Sequence, residues 1–433
     1  MLRASWNVFA KYIHVFTHYI RATFAAALIL TCGPAPSVLA GELEIGAAFG
    51  IEGRAFLKSP RLTSQFKYFQ PSIALEGDVR WENDTRTLQA VFVPFLRADG
   101  QDKKRSHGDI SEAYIRYIGD EFDLLIGLGK VFWGVTESRH LIDIINQDNS
   151  IENTDGEDKL GQPMMKLSLF QGWGQLDLFV MSGFRERTFP GASGRLRGNL
   201  LVDGSDALFE SPAAHGHVDL AARYSNYFAD IDMSLSVFHG TSREPRLSLN
   251  ASGTALRPIY SQITQVGLAI QYTSGASLWK LEAIGRDGYR DAFVAVSGGV
   301  EYTLYQIAES NWDLGLLAEF HYDGRESIPF AGSSRASAAV PLEAPAPLTP
   351  YDEDLFIGAR LAANDMQDTA ILGGAVIDVN DGSASLFIEA ERRLGQDWTA
   401  QLEGRFFVNV NSRNTLSSFK NDGFLTLRIT KHF

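Results

Sequence analysis

Cysteine is all but missing from the 433 residues: Cys32 is the single example, so no disulfide framework holds this chain together. A long apolar run is missing too. Beyond the N-terminus nothing approaches the roughly 20 residues that a helix needs to cross a bilayer, so any passage through a membrane has to use strands. No His/Cys cluster with metal-ligand spacing, P-loop or dinucleotide fingerprint occurs. His217, His239 and His321 have no serine at a spacing that marks a catalytic pair. The expectation is therefore no enzyme, no cofactor and no metal. Basic charge is scarce, with 39 Lys and Arg against 52 Asp and Glu and a formal net charge of −13, which makes nucleic acid a poor partner.

What is there begins with residues 1 to 40, which read as an export signal. Arg3, Lys11 and Arg21 precede the apolar run Ala22 to Thr31, then Pro34 and Pro36 lead to Val38-Leu39-Ala40, with cleavage expected near Ala40. Thr31 before Cys32 is not the residue that a lipoprotein signal uses. Removing this segment takes away three basic groups and no acidic ones, so the formal charge moves from −13 to −16.

From Gly41 onward the dominant period is two. Leu43, Ile45, Ala47, Phe49 and Ile51 share one face of the first segment, and Glu42, Glu44 and Glu52 the other. The second sets Ile73, Leu75, Val79 and Trp81 against Glu76, Asp78, Arg80 and Glu82. Further along, Ile231, Met233, Leu235 and Val237 oppose Asp230, Asp232, Ser234 and Ser236. Near the end, Trp398, Ala400, Leu402, Phe406 and Val408 oppose Thr399, Gln401, Glu403 and Arg405. Segments of about 10 residues with this alternation are the signature of transmembrane barrel strands.

The pattern predicts strands near 42–55, 68–82, 86–98, 109–119, 122–132, 162–171, 174–183, 215–227, 229–240, 260–273, 276–286, 291–304, 311–323, 353–364, 367–379, 383–393, 396–409 and 421–433. The fold expected is all-β, a single transmembrane antiparallel barrel over 41–433 of about 18 strands, with 16 possible. Connection lengths separate it from a soluble sandwich. Every second joint is short, such as Asp120-Glu121, Gly172-Trp173, Gly275 and Leu394-Gly395. The opposite joints are mostly long: 133–161, 184–214, 241–259 and 324–352. Short inner turns with long outer loops are an outer-membrane barrel rhythm. Ala331 to Pro350, rich in Ala, Ser and Pro, then reads as an outer loop and not as an interdomain linker.

The chain ends Gly423-Phe424-Leu425-Thr426-Leu427-Arg428-Ile429-Thr430-Lys431-His432-Phe433, with alternate residues apolar back from Phe433. This resembles the C-terminal assembly signal of bacterial outer-membrane proteins, although Lys431 stands where that pattern has an aromatic or aliphatic residue. Glu112-Ala113-Tyr114-Ile115-Arg116-Tyr117, followed by Phe122 to Trp133-Gly134, resembles a strand pair of the porin superfamily. The resemblance implies a Gram-negative outer-membrane location. It also implies the barrel-assembly machinery, membrane lipid and lipopolysaccharide as partners, and small hydrophilic solutes as cargo. Families with 18 strands include sugar-specific porins, the monomeric porins of pseudomonads and the alginate exporter, so monomer and homotrimer both stay open.

The leading functional expectation is a passive channel; the alternative is a saccharide or polyanion exporter, or a surface-binding barrel. Candidate lumen residues are Glu76, Asp78, Arg80, Glu112, Arg116, Arg223, Glu282, Glu319, Arg360, Glu403 and Arg405, since rings of fixed charge set selectivity in a wide pore. The same residues could simply be polar walls. The loop 133–161, with Glu137, Arg139, Asp143 and Asp148, is a candidate constriction. Leu141, Ile142, Ile144 and Ile145 give it something to bury, and Gly127 and Gly129 leave room on the wall. Lys103-Lys104-Arg105, Arg185, Arg187, Arg195 and Arg197 read as a solvated loop surface or as a site for lipopolysaccharide phosphates. Trp81, Trp279, Trp312 and Trp398 read as interface anchors.

Overall fold

The structure is a computed structural model that describes residues 41–289, 292–325 and 349–433. The expected export signal at 1–40 and most of the expected outer loop at 324–352 lie outside the described residues. By its internal contacts the chain divides into a small unit, residues 1–42 with 83–85, and a large one, residues 43–82 with 86–433. Of the small unit only residues 41, 42 and 83–85 are described, at the ends of two strands.

The large unit is an 18-strand antiparallel sheet. Its strands are β1 Gly41–Phe56, β2 Phe69–Asn83, β3 Leu88–Asp99, β4 His107–Ile118, β5 Phe122–Gly129 and β6 Gln162–Gln171. They continue as β7 Gly174–Met181, β8 Asp219–Phe228, β9 Ile231–Thr241, β10 Gln262–Ser274, β11 Ser277–Asp287 and β12 Phe293–Leu304. The last are β13 Asp313–Asp323, β14 Glu353–Ala362, β15 Ala370–Asp378, β16 Ala384–Leu394, β17 Trp398–Val408 and β18 Phe424–His432. Each pairs with its neighbour in sequence, and β18 returns to β1 with Ala48 opposite His432 and Phe56 opposite Phe424. Closure leaves no unpaired edge. The expected strand series is the observed one, and the count is 18.

Differences at the ends have local causes. The strand expected to run to 132 stops at Gly129, because Val131 donates its N–H to Asn146 Oδ1 instead of to a neighbouring strand. The strand expected from 215 begins at Asp219, because residues 214–216 form a 3-10 turn. Pro94 cannot donate to the ladder, and the β3–β4 register slips there by one residue, between Val93 opposite Glu112 and Pro94 opposite Ile110. That slip lets Glu112 face inward while Ile110 stays outside.

Turns join the strands at one end and long loops at the other. Gly275 and Gly395 take φ of +59° and +72° in two of the tight turns, a region glycine occupies without steric cost. The outward face is apolar: Ile115, Ile126, Leu220, Leu235, Val266, Val294, Leu316 and Ile357 are all exposed. Trp279 and Trp398 stand exposed at the short-turn end together with Tyr227, Tyr272 and Tyr302. A belt of amphipathic rings at one rim of an apolar band suits a membrane interface.

Candidate functional site

The loop between β5 and β6, residues 130–161 and here called L3, turns into the barrel. Outside a ladder its backbone N–H groups need acceptors, and two carboxylates on the wall supply them. Glu282 on β11 accepts from the N–H groups of Val135 at 2.6 Å, Thr136 at 3.0 Å and Ile142 at 3.1 Å, and from Thr136 Oγ1 at 2.9 Å. Glu319 on β13 accepts from the N–H groups of Glu137 at 2.6 Å and Ser138 at 3.0 Å, and from Ser138 Oγ at 2.8 Å. Ser138 Oγ also lies 2.8 Å from His321 Nε2, whose Nδ1 is 2.8 Å from Ser297 Oγ. This histidine is wholly buried and serves as a loop anchor.

Apolar packing holds the middle of L3. Leu141, Ile142, Ile144 and Ile145 are buried with Trp133 against Met164, Phe179, Met181, Phe238, Ile263 and Ile284 of the wall. Burying such side chains stabilises the docked loop by about 1.5–3 kcal/mol each. The room comes from an unexpected place. A Cβ on Gly267 would lie 3.1 Å from Ile142 Cγ2. A Cβ on Gly127 would instead strike the backbone of β4, and one on Gly129 would meet Leu125 and Met164. The glycines expected to receive the loop therefore serve strand packing, and Gly267 receives it.

The far side of L3 crosses to the opposite wall. Arg97 of β3 pairs with Glu152 at 2.7 Å, Asn153 donates to Glu403 of β17 at 2.9 Å, and Arg405 pairs with Asp155 at 2.7 Å. Glu137 binds Arg360 of β14 at 2.5 Å, and Arg139 binds Asp323. Asp143 and Asp148 do not face open lumen: Lys159 bridges them at 3.1 and 2.7 Å, and Asp148 also takes Arg187. Of the candidate lumen residues, Glu282, Glu319, Arg360, Glu403 and Arg405 are thus brought together by L3.

Of the others, Glu112 and Arg223 touch only the first residues of L3, at Lys130 and Trp133. Asp78 and Arg80 pair at 2.9 Å with side chains about half exposed, at 42% and 53%. Arg116 pairs with Asp123 and keeps 40% exposure, Glu76 stands near them on β2, and Glu112 accepts from the Lys130 N–H at 3.4 Å. Arg223 donates to Ser234 at 3.2 Å and stacks over Trp133. This short-turn half of the barrel has polar, solvated walls.

One node escaped sequence reasoning. Glu52 of β1, 2% exposed, binds Arg97 at 3.3 Å, Arg105 at 2.8 Å and Arg428 of β18 at 2.5 Å. Arg105 also binds Asp99 at 3.0 Å, and Arg195 binds Asp422 at 2.6 Å while its guanidinium lies over Phe56. Arg105, Arg195 and Arg197, read from the sequence as part of a solvated loop surface, are buried. Arg105 ties its loop to Glu52 of the wall, whereas Arg195 and Arg197 tie their loop to neighbouring loops at Asp422 and Ser64. Glu52 and Asp422, which bind Arg105 and Arg195, lie 53 and 227 positions away, so no spacing signalled them.

Beyond L3 on the long-loop side opens a cavity of about 780 Å³. Arg187, Arg197, Arg286 and Arg325 line it together with Phe387, Phe407 and Phe419. Glu244 accepts from both Arg286 at 2.6 Å and Arg325 at 2.8 Å. Within L3 itself His140 pairs with Glu157 at 3.1 Å. Burial works against the His140 cation, yet the hydrogen bond and charge of Glu157 prevail and hold its pKa above the ordinary value. Burial, together with the nearby Asp155 and Glu152, pushes the Asp158 carboxyl up to about 6.

No protein-family model matches the chain, and no curated protein is similar in sequence. Solved structures do match. OpdQ of Pseudomonas aeruginosa superposes with a TM-score of 0.51 at 11% identity, over 91% of this chain and 98% of its own. Wzi of Escherichia coli, described as an outer-membrane protein involved in group 1 capsule assembly and a carbohydrate-binding β-barrel, superposes with a TM-score of 0.50 at 9% identity, over 88% and 83%. At these identities the likeness is one of fold, an 18-strand antiparallel β-barrel.

Proposed function

We propose that this barrel sits in the outer membrane of a Gram-negative cell, after loss of a signal peptide, and lets small hydrophilic solutes or ions diffuse through a lumen narrowed by L3. One observation carries the reading: L3 is held at mid-height by Glu282 and Glu319, above a wall that stays charged and solvated at Asp78, Arg80 and Arg116. A loop that closed the mouth for good would need no polar wall beneath it. Exposed apolar side chains on the outer face support the membrane setting, because lipid is the solvent that makes such a band favourable. The long loops then face outward and the short turns inward. Lipopolysaccharide and the assembly machinery, which reads the strand ending at Phe433, are the partners of this setting.

The cavity supports a second reading. Arginines and phenylalanines lining about 780 Å³ offer both polar groups and flat apolar surfaces, which suits a saccharide held at the surface or passed outward.

Single-channel recording from the folded full-length barrel in a planar bilayer, under a potassium chloride gradient, separates the two. A channel gives steady ohmic steps, and Arg80→Glu shifts the reversal potential toward cation preference by reversing one solvated wall charge. Silence from well-folded barrels, with unchanged silence in Arg80→Glu, rejects the channel. Saccharide titration of the cavity then becomes the decisive measurement.

A further inference from the structure

Near the long-loop end, β14 and β15 set two carboxylates opposite one another. Asp354 and Asp378 are cross-strand partners, and both are buried, at 2% and 6% exposure. Like charges directly opposite weaken a strand pair unless something lies between them. Asp378 is served by neighbours: Oδ1 accepts from the N–H groups of Asn380 at 2.7 Å and Asp381 at 3.1 Å, and Oδ2 accepts from Asn414 Nδ2 at 2.8 Å. Asp354 is not. Its Oδ2 is buried without a hydrogen-bond partner, and the donor that acts on the carboxyl is the backbone N–H of Asp352. Arg139, the cation whose field reaches it, is committed to Asp323.

The contrast with the rest of the barrel is sharp. Among the described buried carboxylates, Glu52, Asp219 and Asp323 each meet an arginine, and Glu282 and Glu319 are filled by loop donors. Asp354 alone has a buried oxygen that meets neither donor nor cation. Two more carboxylates, Asp352 and Asp381, act on the pair. An arrangement of this kind is costly on its own, because a buried charge needs a counter-charge.

We propose that Asp354 and Asp378 together bind a calcium ion. The donors are all oxygens, which favours a hard cation over a transition metal. No three Asp, Glu, His or Cys side chains converge as a closed cage among the described residues. Water therefore completes the shell, and affinity falls in the weak range of extracellular calcium modules, about 0.1–1 mM. The ion joins β14 to the turn after β15 and, through Asn414, to the loop before β18. Asp354 borders the cavity, so the bound ion adds positive charge where a solute would arrive. The site stands or falls independently of whether the barrel conducts.

The test uses the folded full-length barrel freed of metal by a chelator, with terbium as a luminescent stand-in excited through Tyr351. Wild type should show saturable terbium emission that calcium displaces, and a melting temperature that rises by several degrees with calcium. Asp354→Asn should lose both responses and, without calcium, melt no earlier than wild type, since the uncompensated charge is gone. Asp378→Asn should lose the emission and also melt earlier, because the amide nitrogen that replaces Oδ2 cannot accept from Asn414 Nδ2. If wild type neither emits above Asp354→Asn nor gains stability up to about 10 mM calcium, tenfold beyond the weak limit, the proposal is wrong. A melting temperature that responds to pH but not to calcium overturns it as well, placing a proton on Asp354.

Discussion

Single carboxylates do unusual work in this barrel. Glu282 accepts four hydrogen bonds from L3 with its two oxygens, close to the capacity of a carboxylate. Removing it strands the backbone donors of Val135, Thr136 and Ile142. We expect Glu282→Ala to weaken docking of L3 by about 2–4 kcal/mol, from unmet donors at about 1–3 kcal/mol each that water partly serves. Limited proteolysis should then cut within 130–161, where the wild type resists, while the barrel itself stays intact. Resistance equal to the wild type would show that the apolar side chains hold L3 alone. The sequence does not reveal which residue fills this role. Glu282 is recognisable as a lumen residue by its place in an alternating strand, but its partners lie 140 positions away or more, beyond the reach of any local pattern.

At the scale of elements, strands were far more legible than contacts. In the proposed setting, lipid on one side and water on the other force alternation along each of the 18 strands, so the sequence of the barrel carries its own ruler. L3 was half legible: Leu141, Ile142, Ile144 and Ile145 announced a buried face, whereas Gly267, which receives Ile142, looked like any glycine in a strand. Its role depends on how far L3 reaches around the wall, which is a property of tertiary packing. L3 also carries a pH dependence with a definite sign. The His140 pKa is raised and the Glu157 pKa lowered in the folded loop, so the stabilisation by their pairing is complete between about 4.3 and 6.5, the unfolded values, and is lost as pH rises through the higher folded value of His140. Asp158 acts in the same sense: a carboxyl raised to about 6 favours the docked loop at low pH and stops doing so as pH climbs from about 4 to 6. Protease cleavage within L3 should accordingly increase from about pH 5 to about pH 9, in two phases, with His140→Gln removing the alkaline one. A loop that loosens on acidification over that range would contradict both assignments.

The whole molecule is a sheet whose two faces obey different solvents, and substitutions should respect that division. Leu235, mid-strand on β9 and 45% exposed on the outer face, should cost about 2–4 kcal/mol when replaced by arginine, the usual penalty for a cation near the bilayer midplane. Asp78→Asn, on the solvated inner wall, should stay within about 0.5 kcal/mol. Urea unfolding in lipid vesicles compares the two, and equal costs would mean that the outer face does not meet lipid. The seam where β18 meets β1 has a consequence of its own. Glu52 and Arg428 face each other across that seam, yet the same glutamate also needs Arg105 from one loop and, through Arg97, Glu152 from L3. The last zip of the cylinder and the tucking-in of its contents therefore share a single knot. A barrel that shuts with L3 left outside leaves that knot half tied, so folding has a built-in inspection: the clasp holds best when the package is already inside.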